Sequence, residues 1–383
     1  MRAIWTELYK LNDETFDVIP VHATARRGYC YVRPSRVEDL HRGLGTRPVS
    51  VQSGDRFLGL DLATQSLPRH RGQLRAWRAA GATVHIIVYD LLPLTCPEFF
   101  KKRTVARFRR WFDVVQHQAD EAICISRQVG RDLREYLRSK QCVNTPAIAY
   151  IKLSGDIAGS SPSKGICEGI SRLASRMRFR PSVLMVGTIE PRKAYDVAIA
   201  CFEHLWRTGN PDAPELVIVG KPGWKTEALQ RYIRRHPEHG RRLHWADEVT
   251  DEGLSSLYNS CRGLLVTSHG EGFGLPLVEA VVHGRPALAR DLPVFREQEL
   301  PNVSFFADDR PEILGDLVLQ LATATSGKPK FVARLISWTE SVDGLLAALG
   351  LGRSVPLGQG RTERSYHLTL RSRERRQASP PGK

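Results

Sequence analysis

Short apolar runs alternate with longer segments of helical periodicity from residue 67 to residue 323, and this alternation constrains the fold more than any other feature. Runs such as VHIIVYD (84–90) and SVLMVGT (182–188) have the length and the β-branched content of buried strands. Parallel strands need crossover connections long enough to hold a helix, so this alternation predicts βαβ units on parallel sheets. We therefore predict an α/β protein.

The alternation occurs twice, which predicts two doubly wound, Rossmann-like domains that face a cleft. A chain of 383 residues is also too long for one ordinary hydrophobic core. Between the two series lies a segment that starts rich in Gly, Ser and Pro and has no strand pattern, which is typical of a linker. The predicted parts are an N-terminal domain (1–155), a linker (156–181), a C-terminal domain (182–335), a closing helix (336–350) and a disordered basic tail (351–383).

Composition excludes several classes of protein. No apolar run reaches the roughly 18 residues that span a bilayer, and the first twenty residues lack the apolar core of a secretory signal, which predicts a cytoplasmic location. The seven cysteines are scattered and never in CxxC spacing, which argues against a disulfide framework and a zinc site. The chain also contains no Asp-x-Asp, so we predict no metal in the site.

The net charge is +15, and the tail from Arg353 to Lys383 contributes eight bases against two acids. A basic surplus favours nucleic acid, anionic lipid or a phosphorylated substrate alike, so charge alone does not choose among these partners. No nucleic-acid-binding motif accompanies the charge, and we predict no nucleic-acid partner.

The strongest motif is SHGEGFGLPLVEA (268–280), between an apolar run and a predicted helix. Its three alternate glycines allow close backbone approach, and the free N–H groups at the start of the helix favour a bound anion. The same motif holds Glu271 and Glu279, and carboxylates accept hydrogen bonds from vicinal sugar hydroxyls. Taken singly, Glu271 is equally consistent with a solvated loop acid, and Glu279 with a residue that complements the helix dipole.

A second motif, VGTIEPRKAYD (186–196), puts Arg192 and Lys193 at the start of a helix. Cations at a helix N-terminus run against the helix dipole unless an anion is bound there. Two cations at a strand-to-helix turn suit a diphosphate leaving group, whose charge they would neutralise. The alternative is an ordinary basic helix start.

These motifs resemble those of the family 4 glycosyltransferases of GT-B fold, particularly bacterial mannosyltransferases. The family pattern of Glu, seven residues and Glu around GFGLP is met without a gap, and EPRKA departs from the family's EPRKG turn only at Ala194. The resemblance implies that Glu271 touches hydroxyls of the donor sugar and that Glu279 holds the ribose. It further implies donor contacts for the residues Gly187, Phe273, Gly274, Leu275, Lys221 and Val249.

In the N-terminal half, VYDLLPLTCPEFF (88–100) resembles a family segment at a strand end that faces the cleft. This resemblance makes Asp90 the candidate for the acceptor side, with Tyr89 where some relatives carry histidine. Ser126 is predicted to cap a helix. Relatives open with a strand and a glycine-rich turn before the helix that here reads MRAIWTELYKL, so we expect the true start to lie upstream of Met1.

The implied activity is retaining transfer of a hexose from a nucleotide-diphosphate sugar, which serves as co-substrate with no further cofactor. Mannose from GDP-mannose is the preferred donor, and a surface polysaccharide or a lipid-linked saccharide is the implied acceptor. Two alternatives stay open at this point: a sugar-nucleotide epimerase, and a catalytically impaired relative that only binds nucleotide sugar.

The segment EFFKKRTVARFRRWFDVV (98–115) carries six bases and an apolar stripe at helical spacing. The stripe is consistent with a core-facing helix under a solvated basic face. It is also consistent with a helix lying on anionic lipid, which would place the protein at the inner face of the membrane.

Overall fold

The computed structural model describes residues 2–11, 17–24, 26–32, 47–157, 164–323 and 335–351. Its strands form an antiparallel hairpin and two larger sheets. The hairpin pairs β1 (Val21–His22) with β2 (Cys30–Tyr31), and the first sheet contains β3 (Arg56–Gly59), β4 (Thr83–Val88), β5 (Glu121–Cys124) and β6 (Ala147–Tyr150). The second sheet contains β7 (Ser182–Val186), β8 (Glu215–Val219), β9 (Leu243–Ala246), β10 (Gly263–Val266), β11 (Ala287–Arg290) and β12 (Val303–Phe306).

Every strand pair in the two larger sheets is parallel. The orders are β3-β4-β5-β6 and β12-β11-β10-β7-β8-β9. The helices are α1 (Arg2–Lys10), α2 (Ser66–Arg69), α3 (Arg71–Ala79), α4 (Leu92–Thr95), α5 (Lys102–Gln118), α6 (Arg127–Ser139), α7 (Glu168–Phe179), α8 (Tyr195–Arg207), α9 (Glu227–Arg235), α10 (Asp251–Ser260), α11 (Leu275–Val282), α12 (Pro293–Arg296), α13 (Pro311–Thr323) and α14 (Trp338–Ala348). The predicted α/β class with parallel sheets is confirmed. The second sheet is doubly wound, because its strand order reverses between β10 and β7 and crossover helices cover both of its faces, whereas the strands of the first sheet follow one another in chain order.

Each sheet is covered by helices on both faces, which is why its strands are continuous apolar runs. In the second sheet, α8 and α13 pack on one face and α7, α10 and α11 on the other. In the first sheet, α3, α5 and α6 cover one face. The other face packs against α1 and the closing helix α14, in a cluster that also includes Phe273 and Val278 of the second domain.

Part of the predicted linker is structured. Residues Glu168–Phe179 form α7, whose Ile170, Ala174 and Met177 are buried in the core of the second domain. The Gly, Ser and Pro residues at the start of the segment concealed the apolar spacing of its second half. The predicted tail lies outside the described residues from 352 onward, and the domain boundaries stay a prediction.

The apolar stripe of α5 belongs to the core. Phe108, Trp111 and Phe112 are all at most 4% exposed and pack with α3 and the first sheet. The core-facing interpretation of this helix is therefore the right one, and its aromatic side chains do not reach a lipid surface. Across the described ranges, no helix combines the length and the apolar composition needed to cross a bilayer.

Candidate active site

The turns that follow β7 and β10 meet at one edge of the second sheet. The two strands are parallel neighbours, so the chain leaves both on the same side. Thr267 Oγ1 donates to the carbonyl of Lys193 at 2.7 Å, and the N–H of His269 donates to the carbonyl of Arg192 at 2.7 Å. These bonds join the segment 190–193, which we call the EPRK turn, to the segment 267–274, which we call the glycine-rich loop.

Both cations of the EPRK turn pair with one carboxylate of the glycine-rich loop. Lys193 Nζ lies 2.5 Å from Glu271 Oε1, and Arg192 Nη1 lies 2.9 Å from Glu271 Oε2 and donates to Gly270 O at 2.8 Å. Burial alone would raise the pKa of the Glu271 carboxyl, but Lys193 and Arg192 outweigh it and lower the pKa to about 2. Glu271 is therefore ionised throughout the neutral range.

Glu190 is a member of this arrangement that the sequence analysis missed. Its Oε1 lies 2.7 Å from Arg192 Nε, and its side chain is 3% exposed. Burial raises the pKa of Glu190 against the opposing effects of Arg192 and Lys193. The sequence signal for this role was its position directly before Pro-Arg-Lys, since a carboxylate there can pair with the arginine guanidinium. We refer to Glu190, Arg192, Lys193 and Glu271 as the ion-pair cluster.

Glu279, on α11, lies close enough to the ion-pair cluster for Lys193 to lower its pKa. The hydroxyl of the buried Tyr258 donates to Glu279 Oε2 at 2.8 Å. Burial is nevertheless the largest effect on this carboxyl and, with the charge of Asp251, raises its pKa to about 7. Two glutamates eight positions apart thus differ strongly in their affinity for a proton.

Glycine at position 187, before the EPRK turn, leaves room for the side chain of Lys193. A methyl group at Gly187 would lie 3.2 Å from Lys193 Cε, and the carbonyl of Gly187 accepts from Tyr195 Oη at 2.6 Å. Ala194 holds φ 48 and ψ 48, the left-handed conformation that favours glycine. This explains why the family's turn has glycine where this chain has alanine.

The glycine-rich loop offers free backbone donors at the start of α11. Gly274 adopts φ 90 and precedes the helix directly. Within the described part of the chain, the N–H groups of Phe273, Gly274 and Leu275 have no hydrogen-bond acceptor. Free N–H groups at a helix N-terminus beside two cations make a site for an anion.

Asp90 reaches the same edge from the N-terminal domain. It follows β4 and accepts a hydrogen bond from the N–H of Leu92 at 3.0 Å. Burial raises the pKa of Asp90; Arg192 lowers it and Glu271 raises it, so the carboxyl lies within electrostatic reach of the ion-pair cluster. The structure thus brings Asp90, Arg192, Lys193 and Glu271 together, as the sequence analysis predicted.

The segment after β4 also closes over the second domain. A methyl group at Gly272 would overlap the carbonyl oxygen of Tyr89, so the two backbones touch there. Phe99 stacks on His269 with ring centroids 5.7 Å apart, and its carbonyl accepts from Trp224 Nε1 at 2.9 Å. The segment after β4 therefore bridges the cleft between the domains at more than one point.

Lys221 and Val249 follow β8 and β9 at the same edge of the sheet but stand apart from the ion-pair cluster. Lys221 is exposed, and its carbonyl accepts from the N–H of Ile189 at 3.0 Å. Among the described residues, neither side chain forms a hydrogen bond or ion pair with the cluster. Within the same ranges, no group of three or more His, Cys, Asp or Glu side chains could hold a metal ion.

Comparison with known proteins defines the class. Residues 179–328 match the family model described as glycosyl transferases group 1. Among solved structures, the chain resembles that of Anabaena Alr3699/HepE in complex with UDP and glucose, with a TM-score of 0.55, 16% identity and 77% of each chain covered. These likenesses show the GT-B fold, and the match to the group 1 model covers residues 179–328.

Two relatives from Escherichia coli are mannosyltransferases by name. The chain is 32% identical over 356 residues to the serotype-specific mannosyltransferase WbdA, an alignment that covers 91% of this chain and 43% of WbdA. It is 27% identical over 210 residues to the O-antigen chain mannosyltransferase B, covering 53% of this chain and 52% of that protein. The chain thus spans less than half the length of WbdA.

Proposed function

We propose that this protein is a hexosyltransferase that transfers mannose from GDP-mannose, with retention of configuration, to a surface polysaccharide or its lipid-linked precursor. The observation that carries the proposal is that Lys193 Nζ and Arg192 Nη1 lie 2.5 and 2.9 Å from the carboxylate oxygens of Glu271. The free amides of the glycine-rich loop belong to the same segment as Glu271. The names of the two Escherichia coli relatives support mannose as the sugar and an O-antigen chain as the acceptor.

The charges of the cluster suit a sugar diphosphate. In this account the donor phosphates bind Arg192, Lys193 and the amides of residues 273–275, and Glu271 turns to the hydroxyls of the sugar. Glu279 takes the ribose hydroxyls. The cations stabilise the negative charge that grows on the diphosphate as the bond from sugar C1 to the phosphate oxygen breaks. No metal is needed for this neutralisation, and we propose that transfer continues in the presence of a chelator.

We propose a same-face displacement as the retaining route. The acceptor hydroxyl oxygen forms the new bond to C1 on the side from which the diphosphate leaves. Its proton goes to an oxygen of the departing phosphate, so that no separate base is required. Asp90, on the N-terminal side of the cleft, would hold the acceptor hydroxyl toward C1.

A transfer assay tests the proposal. The chain is incubated with a panel of nucleotide sugars and a mannose-terminated lipid-linked saccharide, and mass spectrometry follows the gain of one hexose. GDP-mannose should give this product, and nuclear magnetic resonance should show that the new mannoside keeps the α configuration of the donor. Conversion of the nucleotide sugar without acceptor would favour the epimerase alternative, and binding of GDP-mannose without any product would favour the impaired relative.

We also propose that the protein works at an anionic membrane surface. The exposed side chains of Lys101, Lys102, Arg103, Arg109 and Arg110 line the outer side of α5 and the residue before it. Because the aromatic stripe beneath them is buried, the contact would be electrostatic and would not insert apolar side chains. A surface of this kind would keep the site near a lipid-linked acceptor.

A further inference from the structure

Ser126 lies between β5 and α6, and its hydroxyl joins the two domains. Oγ accepts a hydrogen bond from the N–H of Val129 at 3.1 Å, which confirms the predicted helix cap. The same hydroxyl donates to the carbonyl of Gly272 at 2.8 Å, in the glycine-rich loop of the other domain. Ser126 is 3% exposed, and its bond to the Val129 N–H is buried.

The second bond fixes a peptide plane in the loop. In a trans peptide the carbonyl and the following N–H point in opposite directions. Because the carbonyl of Gly272 points at Ser126, the N–H of Phe273 points away from Ser126. Gln298 Nε2 donates to the carbonyl of Phe273 and fixes the N–H of Gly274 in the same way.

The Ser126 bond depends on how closely the domains approach. The backbones of Gly272 and Tyr89 already touch, since a methyl group at position 272 would overlap the Tyr89 carbonyl. A separation of the domains by a few ångströms would break the bond from Ser126 and release the peptide plane. The Gln298 bond would survive, because Gln298, two residues after α12, belongs to the same domain as the loop.

We propose that Ser126 is a positioning residue for the donor. By holding the Gly272 carbonyl, it aims the Phe273 amide at the diphosphate only when the domains are closed, and so couples closure to productive donor binding. This inference rests on the proposed function, because it assumes that the loop amides meet a sugar diphosphate.

Three variants separate the cap from the interdomain bond. Ser126→Gly keeps a residue that is nearly as good at a helix N-cap but removes the hydroxyl donor. Ser126→Thr keeps both bonds. The matched control is Ser337→Ala, which removes the cap of α14, where Ser337 Oγ accepts from the N–H of Glu340 at 3.1 Å. Among the described residues, Ser337 forms no hydrogen bond to the glycine-rich loop.

The experiment measures kcat and KM for GDP-mannose, the Kd for GDP by calorimetry, and the melting temperature. For Ser126→Gly we expect about a fivefold higher Kd and about a tenfold lower kcat/KM, mostly from kcat, with an almost unchanged melting temperature. Ser126→Thr should stay within about twofold of the wild type by the same reasoning. Ser337→Ala should melt about 2–4 °C lower with unchanged kinetics.

The outcomes are distinguishable. If the wild type transfers mannose and Ser126→Gly has the same Kd and kcat/KM as the wild type, the positioning role is overturned and the proposed function is left intact. A wild type that binds GDP but transfers no sugar overturns the proposed function, and the Kd of Ser126→Gly still decides whether the residue positions the loop. A wild type that binds no GDP overturns both.

Discussion

Lys193 Nζ and Glu271 Oε1 lie 2.5 Å apart, although the two residues are separated by 78 positions in the chain. The cation that we assign to a donor phosphate is thus paired with the carboxylate that we assign to a sugar hydroxyl. Donor binding would exchange this ion pair for two new contacts, one on each side chain. The cluster can therefore bury both charges before the donor arrives, because each neutralises the other.

Removal of the lysine should disable transfer with a modest effect on folding. In Lys193→Ala, Glu271 keeps its pair with Arg192, so the buried carboxylate is not left alone. The loss of one cation at the developing diphosphate should lower kcat/KM for the donor by roughly 100- to 1000-fold. The control is Lys140→Ala, at an exposed site where the ammonium lies over the ring of Tyr136. Activity of Lys193→Ala within about threefold of the control would contradict the assignment.

The raised pKa of Glu279 predicts a pH-dependent stability difference. The carboxyl titrates near 4.5 when unfolded and near 7 in the folded chain, so the folded state holds the proton more tightly. The stability from this proton is complete below pH 4.5 and is lost as the pH rises through about 7. Glutamine keeps an acceptor for Tyr258 but does not titrate.

Glu279→Gln should therefore exceed the wild type in free energy of unfolding at about pH 8, by on the order of 1–3 kcal/mol. The advantage should shrink as the pH falls through about 7 and vanish below pH 4.5, where the wild-type carboxyl is protonated in both states. Urea unfolding of both proteins over this pH range measures the difference. A difference that does not change with pH would show that burial does not raise the pKa of this carboxyl.

Much of the architecture could be predicted because local patterns determined it. The helix that Ser126 was predicted to cap is α6, whose buried Val129, Leu133 and Leu137 recur at helical spacing. The run at 182–188 was predicted as a buried strand and contains β7, because strands buried on both faces are unbroken apolar runs. The strand β3 and the hairpin strands, at four and two residues each, are too short to carry a period.

The site could be predicted in part. Arg192 and Lys193 stand at a helix start, where their charges oppose the helix dipole, and this conflict is visible in the sequence. Glu271 stands in the SHGEGFGLPLVEA motif, which is visible as a pattern. The bond from Ser126 to Gly272 spans 146 positions and two domains, and no local pattern encodes it. The cap role of Ser126 was predictable for the opposite reason, because it involves only the next three residues.

The backbone contact at Gly272 predicts that a single methyl group separates the domains. Gly272→Ala would place a carbon against the Tyr89 carbonyl, with no flexible side chain to yield. We expect transfer to fall at least tenfold, because the loop and Asp90 can no longer approach each other. Small-angle scattering should report a larger radius of gyration than for the wild type.

Gly344→Ala is the matched control for this substitution. Gly344 lies within α14, and a methyl group there meets no atom within 4 Å among the described residues. Alanine in a helix should raise stability by about 0.4–1 kcal/mol and leave transfer unchanged. Equal activity of the two alanine variants would refute the role of the Gly272 contact.

The basic face of α5 predicts salt-sensitive binding to anionic vesicles. Cosedimentation with phosphatidylglycerol vesicles should weaken as salt rises from about 0.05 to 0.5 M, because screening shortens the reach of surface charges. Arg109→Glu with Arg110→Glu should weaken binding more than Arg231→Glu with Arg235→Glu, which makes the same charge change on α9. Equal losses in the two double variants would mean that net charge, and not this helix, governs the binding.

The structure of the chain with GDP-mannose bound is the most direct test of the central claim. The account predicts donor phosphates against Arg192, Lys193 and the amides of residues 273–275, with Glu271 released from Lys193 and turned to the sugar hydroxyls. A donor bound elsewhere, or a bound donor beside an intact Lys193–Glu271 pair, would contradict it.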